Sequence, residues 1–177
     1  LNNLAGAKWI CQNMGVDEAE FYEAIASFKG ASKRLEKIAQ GPTSVAYKDF
    51  AHSPSKVSAT TTAVKNQYPE RKLVACLELH TYSSLNAEFL EQYQGALDQA
   101  DEAVVFYSPE AVKIKRLNEV TYTQIEQAFN RSDLKIFTNA ADFKAYLFAQ
   151  NLTNSTLLLM SSGNYGGLNF DEVQNLM

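Results

Sequence analysis

Short apolar segments alternate with longer amphipathic segments along most of this chain. The apolar segments lie near residues 44–48, 73–79, 103–107, 134–137 and 156–160, and polar residues do not alternate within them. Such strands are buried on both faces by helices. The pattern therefore predicts an α/β fold: a Rossmann-like three-layer αβα domain around a mostly parallel sheet of about six strands.

Helical periodicity and end signals fill the intervals between these segments. Helices are expected at residues 1–14, from Asp17, at 54–67, 85–99, after Ser108-Pro109, at 121–129, 139–150 and from Phe170. Ser53-Pro54 suits a helix start, because a serine can cap free N–H groups and a proline needs none. Ser83 or Ser84 is the expected cap of helix 85–99.

The start of the chain predicts an edge strand and a domain boundary. Leu35 and Ile38, followed by the turn signal at 40–43, favour an antiparallel edge strand that pairs with segment 44–48. A boundary near residues 30–34 would separate two leading helices, residues 1–30, from the α/β domain, residues 31–177. Because the chain begins at Leu1 inside a helical pattern, we expect a fragment of a longer protein.

Polar side chains follow the first two parallel strands at their carboxyl ends. Asp49 and His52 come after segment 44–48, beside a helix N-terminus, and the loop 80–84 follows segment 73–79. Ligands bind at this edge of α/β sheets, and helix N-termini favour phosphate. A carboxylate there can accept hydrogen bonds from ribose hydroxyls. The alternative is that these are turn and capping residues.

Two further features lie after predicted strands. The turn 161–167 contains three glycines, which let a backbone approach a ligand, although their spacing is not that of a dinucleotide-binding loop. The alternative is plain turn chemistry. A basic cluster follows segment 103–107 and is either a solvated face or an anchor for an acidic substrate; it consists of Lys113, Lys115 and Arg116.

Composition narrows the function classes. The 177 residues suffice for one domain and a piece of another, and the net charge of -4 disfavours a nucleic-acid or anionic-membrane partner. No apolar run is long enough to span a bilayer. Cys11 and Cys76 are expected to be buried free thiols, which suits a reducing cytoplasm. The sequence lacks a Gly-Lys-Ser/Thr phosphate loop, a Cys/His metal set and a Gly-x-Ser-x-Gly nucleophile, so it carries no complete catalytic apparatus.

Three motifs occur in a recognisable order. Residues 1–7 (LNNLAGA) match the positions after the His-Asn pair of an "HN-x-x-N-x-x-A" helix, residues 27–36 match an "SFxGxxRRxE" hinge, and residues 49–54 (DFAHSP) match "D-[YF]-[AG]-H-x-P". Together they resemble the C-terminal third of the Mur ligases, which join amino acids or peptides to UDP-N-acetylmuramate.

The resemblance implies an ATP-dependent ligase. ATP would activate a carboxylate as an acyl phosphate, and an amine would attack it to give an amide. ATP and Mg²⁺ would be held mainly by a central ATPase domain of the same chain, which follows an N-terminal domain and to which residues 1–30 would belong. The implied nucleotide contacts are Asn3 (adenine), Arg34 (nucleotide), Asp49 (ribose) and His52 (phosphates).

Two branches of the family compete for the amine substrate. The turn 160–167 and the phenylalanine of 49–52 resemble the murein peptide ligases of recycling, so we expect the tripeptide L-Ala-γ-D-Glu-meso-diaminopimelate. Residues 79–83 are closer to the L-alanine-adding branch, which is the alternative. Ser84 replaces an arginine of that branch, and Lys113, Lys115 or Arg116 is left to supply the charge.

The expected substrate-binding residues are His80, Thr81, Tyr82, Ser83, Ser162, Gly163, Asn164 and Tyr165. The resemblance assigns no catalytic residue and no metal ligand to these positions. A different class, a stand-alone nucleotide-binding α/β module without ligase activity, is the remaining alternative.

Overall fold

The computed structural model describes residues 2–28 and 30–177. The predictions that include Leu1, in the first helix, and Lys29, in the hinge motif, lie partly outside the described residues. The chain divides into two compact units, residues 1–31 and 32–177.

The first unit contains two helices, α1 (Asn2–Asn13) and α2 (Glu18–Ala26). The predicted capping box is present at α2: the Glu20 N–H donates to Asp17 Oδ1 over 2.8 Å, and the Asp17 N–H donates to Glu20 Oε2 over 3.0 Å. These reciprocal bonds satisfy N–H groups that a helix start leaves free. The assignment of this unit to an ATPase domain stays a prediction.

The second unit is built on a six-stranded sheet. Its strands are β1 (Glu36–Gln40), β2 (Val45–Asp49), β3 (Lys72–Glu78), β4 (Glu102–Phe106), β5 (Lys135–Phe137) and β6 (Ser155–Met160). Their lateral order is β1-β2-β6-β3-β4-β5. Strand β1 is antiparallel to β2, and all other pairs are parallel. The predicted fold class is confirmed, including its antiparallel edge.

Helices cover both faces of this sheet. They are α3 (Pro54–Gln67), α4 (Ala87–Leu90) with a 3-10 turn (Glu91–Tyr93), α5 (Pro109–Ile114), α6 (Tyr122–Phe129), α7 (Ala140–Phe148) and a 3-10 helix (Phe170–Leu176). Alternate residues of β3 enter two separate cores: Leu77 packs with the cluster of α3, α4 and α6, whereas Cys76 packs with that of α7 and the last 3-10 helix. This is the three-layer arrangement expected for buried parallel strands.

The helix predicted over 85–99 is much shorter. After Tyr93 the backbone leaves the helical region at Gln94 (ψ 124°), and Gly95 takes a left-handed φ of 74°. Turns continue to residue 99 and still bury Leu97. Glycine is a poor helix former and accepts this conformation freely, so the helical pattern ends there.

The expected serine caps were also wrong. Asn86 caps α4, accepting from the Glu88 N–H at 2.9 Å, while the buried Ser84 hydroxyl bonds within the loop to Thr81. Ser53 does occupy the cap position of α3, but its side chain makes no capping bond.

Two remaining observations concern the cysteines and the helices. Cys76 is buried and Cys11 is partly exposed, and both are free thiols, so complete burial holds for Cys76 alone. No helix in the described ranges has the length and apolar character needed to cross a membrane.

Candidate functional site

Strand β6 marks the point where the chain changes faces of the sheet. Helices α3 and α4, which follow its neighbours β2 and β3, pack in one core, represented by Val57 and Leu90. The 3-10 helix that follows β6 packs in the opposite core through Val173. Connections that leave in opposite directions open crevices at the carboxyl ends of adjacent strands, where ligands bind in doubly wound sheets.

A cleft of about 390 Å³ opens at this edge. It is bounded by the ends of β2 and β6, the turn after β6 and the start of the last 3-10 helix. The polar side chains that line it belong to Lys33, Lys48, Asp49, Ser161, Asn164, Asn169 and Asp171. The cleft therefore offers cations, carboxylates and amides to a polar ligand.

Asp49 is held by the backbone on both sides of β2. Its Oδ2 accepts from the Leu35 N–H at 2.6 Å, and its Oδ1 accepts from the Ala51 N–H at 2.7 Å. Leu35 has a φ of 45°, an unfavourable value for a leucine, so the carboxylate helps hold a strained hinge. Each carboxylate oxygen has two acceptor sites, so Asp49 can still accept a hydroxyl from a ligand.

Arg34 and His52 lie beside Asp49. The Arg34 guanidinium is 5.5 Å from the centroid of the Phe50 ring, and the rings of Phe50 and His52 meet edge to face at 5.0 Å. His52 Nδ1 is 2.7 Å from the Phe50 carbonyl oxygen. Because a carbonyl can only accept, Nδ1 is the donor, and Nε2 is the nitrogen left for a ligand.

Three of the four predicted nucleotide contacts are thus neighbours in the structure. Arg34, Asp49 and His52 share one corner of the sheet edge. Asn3 lies on α1 in the first unit and is exposed, and its predicted role stays a prediction.

A buried acid that the sequence analysis left out joins the loops after β3 and β6. Glu78, the last residue of β3, is only 2% exposed. Its Oε2 accepts from the Tyr165 N–H at 2.8 Å and from the Ser161 hydroxyl, and its Oε1 lies 3.5 Å from His80 Nδ1. A charged residue inside an otherwise apolar strand was the available signal, because a buried carboxylate requires partners.

The turn after β6 fits closely against this acid. A Cβ on Gly163 would lie 2.8 Å from Glu78 Oε2 and 3.0 Å from the His80 ring, so only glycine fits without a shift. Among the described residues, no group lies within hydrogen-bonding distance of the buried Ser162 hydroxyl. Asn164 is exposed to solvent.

Tyr165 is placed differently from its neighbours. Its side chain is 1% exposed, and its hydroxyl lies 2.8 Å from the carbonyl oxygens of Cys76 and Met160. Burial raises the pKa of this phenol well above its usual value. The side chain packs the turn against the sheet in this structure, so a substrate contact at Tyr165 falls to its backbone.

The loop after β3 divides into a structural and an exposed part. Thr81 and Ser84 bond to each other over 2.9 Å, and Ser83 lies 3.2 Å from the Thr81 hydroxyl. Tyr82 is 64% exposed, with the Lys115 ammonium 5.2 Å from its ring centroid. The structure therefore brings one member of the predicted basic cluster to the candidate substrate loop.

Metal-binding side chains are not grouped in the part of the chain that the structure describes. No set of three or more His, Cys, Asp or Glu side chains there is arranged to hold a metal ion. The predicted placement of Mg²⁺ on another domain stays a prediction.

Comparison with known proteins gives this geometry a family. The model described as "Mur ligase, glutamate ligase domain" matches residues 33–163. The chain belongs to the Mur ligase family. The matched range contains both sides of the β6 edge, from the hinge to Gly163.

Individual Mur ligases are similar over different lengths. A UDP-N-acetylmuramate–L-alanine ligase of Lactococcus lactis is 35% identical over 92 residues, which cover 52% of this chain and 20% of that protein. A crystal structure of UDP-N-acetylmuramate-alanine ligase from Thermotoga maritima has a TM-score of 0.70 at 17% identity, over 92% of this chain and 34% of that one. For a murein peptide ligase from Psychrobacter arcticus the TM-score is 0.65 at 20% identity, over 99% and 35%. The chain thus spans between a fifth and about a third of these proteins.

Proposed function

We propose that these residues work as the C-terminal domain of an ATP-dependent ligase that joins a peptide to UDP-N-acetylmuramate in peptidoglycan recycling. One observation carries the proposal: the sheet edge around β6 collects Asp49 and His52 on one side and the loops after β3 and β6 on the other. Membership of the Mur ligase family supports the reaction type. Such an enzyme would act in the cytoplasm, where ATP is available.

The β2 side would bind the nucleotide. Asp49 would accept the ribose hydroxyls, Arg34 would reach the nucleotide, and His52 would approach the phosphates, with Asn3 at the adenine. The free acceptor sites of Asp49 and the unoccupied Nε2 of His52 suit these contacts. The phosphate cradle and Mg²⁺ would belong mainly to a central domain, since the sequence contains no phosphate-binding loop.

The β3 side would bind the amine. Residues 80–83 and 162–165 come from loops that Glu78 fastens together, so they can form one pocket. Ser84 is buried and uncharged and cannot bind a carboxylate by charge. Lys115, which already lies over Tyr82, is our candidate for that contact.

The tripeptide L-Ala-γ-D-Glu-meso-diaminopimelate is the proposed amine. The sequence of the turn 161–167 supports it, because it resembles the corresponding turn of the murein peptide ligases. A second candidate is L-alanine, which residues 79–83 and the similarity to the L. lactis ligase favour.

The first experiment is to measure phosphate release by the complete ligase with ATP, Mg²⁺ and UDP-N-acetylmuramate, adding either amine. Turnover with the tripeptide alone is the expected result. Turnover with L-alanine alone would contradict the recycling assignment, and no turnover with either would favour a binding module without ligase activity.

The role of Lys115 has a matched control in the same helix. Lys115→Ala is expected to raise the KM for the amine about tenfold, as the loss of one charged contact does, and to leave the KM for ATP unchanged. Lys113→Ala, which removes a neighbouring charge, should leave both constants unchanged. Equal effects of the two substitutions would assign the result to the general charge of the helix.

A further inference from the structure

We propose that Glu78 and His80 form a proton-accepting pair at the amine site. In this pair Glu78 keeps the ring proton of His80 on Nδ1, and Nε2 accepts a proton from the ammonium group of the incoming amine. The inference rests on the proposed ligase function and assigns a role to Glu78, which the motifs do not mark.

The surroundings of Glu78 give its two oxygens different tasks. Oε2 is occupied by the Tyr165 N–H and the Ser161 hydroxyl, and that hydroxyl also accepts from the Gly163 N–H at 2.6 Å. Oε1 is the oxygen that faces His80 Nδ1, 3.5 Å away. A carboxylate that is almost fully buried and fixed by two donors is an ordered partner, and the remaining group it can serve is the imidazole.

The packing of His80 determines which nitrogen faces the site. Gly163 lies against Cγ and Nδ1, on the side where Glu78 approaches. The 39% of the His80 side chain that is exposed is thus left to the far edge of the ring, which carries Nε2. A partner at one ring nitrogen fixes the proton there and leaves the other nitrogen as an acceptor. The separation of 3.5 Å is one that substrate binding can shorten.

The chemistry of amide formation requires such an acceptor. An amine reaches the site as R–NH₃⁺, which has no lone pair for attack. Nε2 of neutral His80 would take one proton, giving R–NH₂ and an imidazolium that the Glu78 carboxylate stabilises, as an acid does behind a catalytic histidine. The nitrogen would then attack the acyl phosphate: the C–N bond forms, the C–O bond to phosphate breaks, and phosphate leaves with the second proton.

The position of the His80 proton can be measured directly. The chain has two histidines, so ¹⁵N NMR of this chain at a pH where both rings are neutral resolves each tautomer. We expect His80 to carry its proton on Nδ1, and Glu78→Gln to move it wholly or partly to Nε2. His52, whose Nδ1 bonds to the Phe50 carbonyl, is the internal reference and should not change. A proton on Nε2 in the wild type, or an unchanged tautomer in Glu78→Gln, would overturn the proposal.

Kinetics of the complete ligase test the catalytic half. Glu78→Gln and His80→Gln are each expected to lower kcat with the proposed amine by about 10²–10⁴-fold, with the KM for ATP unchanged. Because Glu78 acts through His80, the double variant should be no slower than His80→Gln. Losses that multiply in the double variant, or a loss below about threefold in His80→Gln, would contradict the pair.

Two controls keep the outcomes distinct. If Glu78→Gln does not fold, the wild-type tautomer and the kcat of His80→Gln decide the question without it. If the wild-type ligase turns over neither amine, the proposed function fails, and the proton-accepting role fails with it, while the NMR result still decides whether Glu78 positions His80.

Discussion

Replacing Asp49 tests whether this carboxylate holds the hinge as well as a ligand. Asp49→Ala removes the acceptors of the Leu35 and Ala51 N–H groups, which lie 2.6 and 2.7 Å from its oxygens. It also releases Leu35, whose φ of 45° is an unfavourable conformation for a leucine. We therefore expect the second unit to be less stable and its hinge to relax.

The size of the loss can be worked out from these contacts. Hydrogen bonds to a charged group contribute about 1.5–3 kcal/mol each, but Asp49 is only partly buried, so water will replace part of that. Relief of strain at Leu35 returns roughly 1 kcal/mol. The free energy of unfolding should fall by roughly 2–4 kcal/mol.

Urea unfolding supplies the measurement, and Glu36→Ala supplies the matched control. Glu36 accepts from the N–H of Lys33, another left-handed residue with a φ of 58°, over 2.8 Å, but its side chain is 37% exposed. An exposed contact contributes at most about 1 kcal/mol, so Glu36→Ala should be nearly neutral. Equal losses in the two variants would refute the argument from burial.

The kinetic consequence is separate from the stability loss. Assayed where Asp49→Ala is fully folded, the ligase is expected to show a higher KM for ATP and a smaller change in the KM for the amine. The reverse order would remove Asp49 from the ribose contact.

Two further predictions concern stability. Burial raises the pKa of Glu102, but hydrogen bonds from Lys135, Lys72 and Tyr146 outweigh it and lower this pKa to about 2. Its stabilising effect is therefore complete above about pH 4.5 and is lost as the pH falls toward 2, so urea midpoints at about pH 6 and pH 3 should differ less in Glu102→Gln than in the wild type. Gly163→Ala forces a Cβ against Glu78 and His80 and should cost about 1–3 kcal/mol, whereas Gly6→Ala, with no atom within 4 Å, should not destabilise the chain; equal midpoints would contradict this close packing.

The strands could be predicted from the sequence because burial on both faces leaves a local signal. Strands β3 and β6 lie at the centre of the sheet, and almost every residue in them is buried. Helix 85–99 was predicted from the same kind of pattern and failed, because Leu97 is buried by tertiary packing without being helical. A buried apolar residue indicates a core position, but it does not determine the local backbone.

The site could be predicted only as far as chain position determines it. Asp49, His52 and His80 follow strand ends, and parallel strands bring their carboxyl ends to one edge whatever the tertiary details. The burial of Tyr165 depends on carbonyl groups at Cys76 and Met160, and the latter is on a different strand from the former. No local pattern contains that information.

Glu78 shows why the acids at this edge matter more than their charges suggest. Glu78 and Asp49 stand on the two strands that flank β6, and each accepts from backbone N–H groups of a loop: Asp49 from Leu35 and Ala51, Glu78 from Tyr165. An acceptor bonded to backbone orders the loop itself, whichever side chains the loop carries. The two proposed halves of the site are therefore ordered by separate acids on opposite sides of one strand. Asp49→Ala should accordingly disturb mainly the binding of ATP, and Glu78→Gln mainly the reaction of the amine.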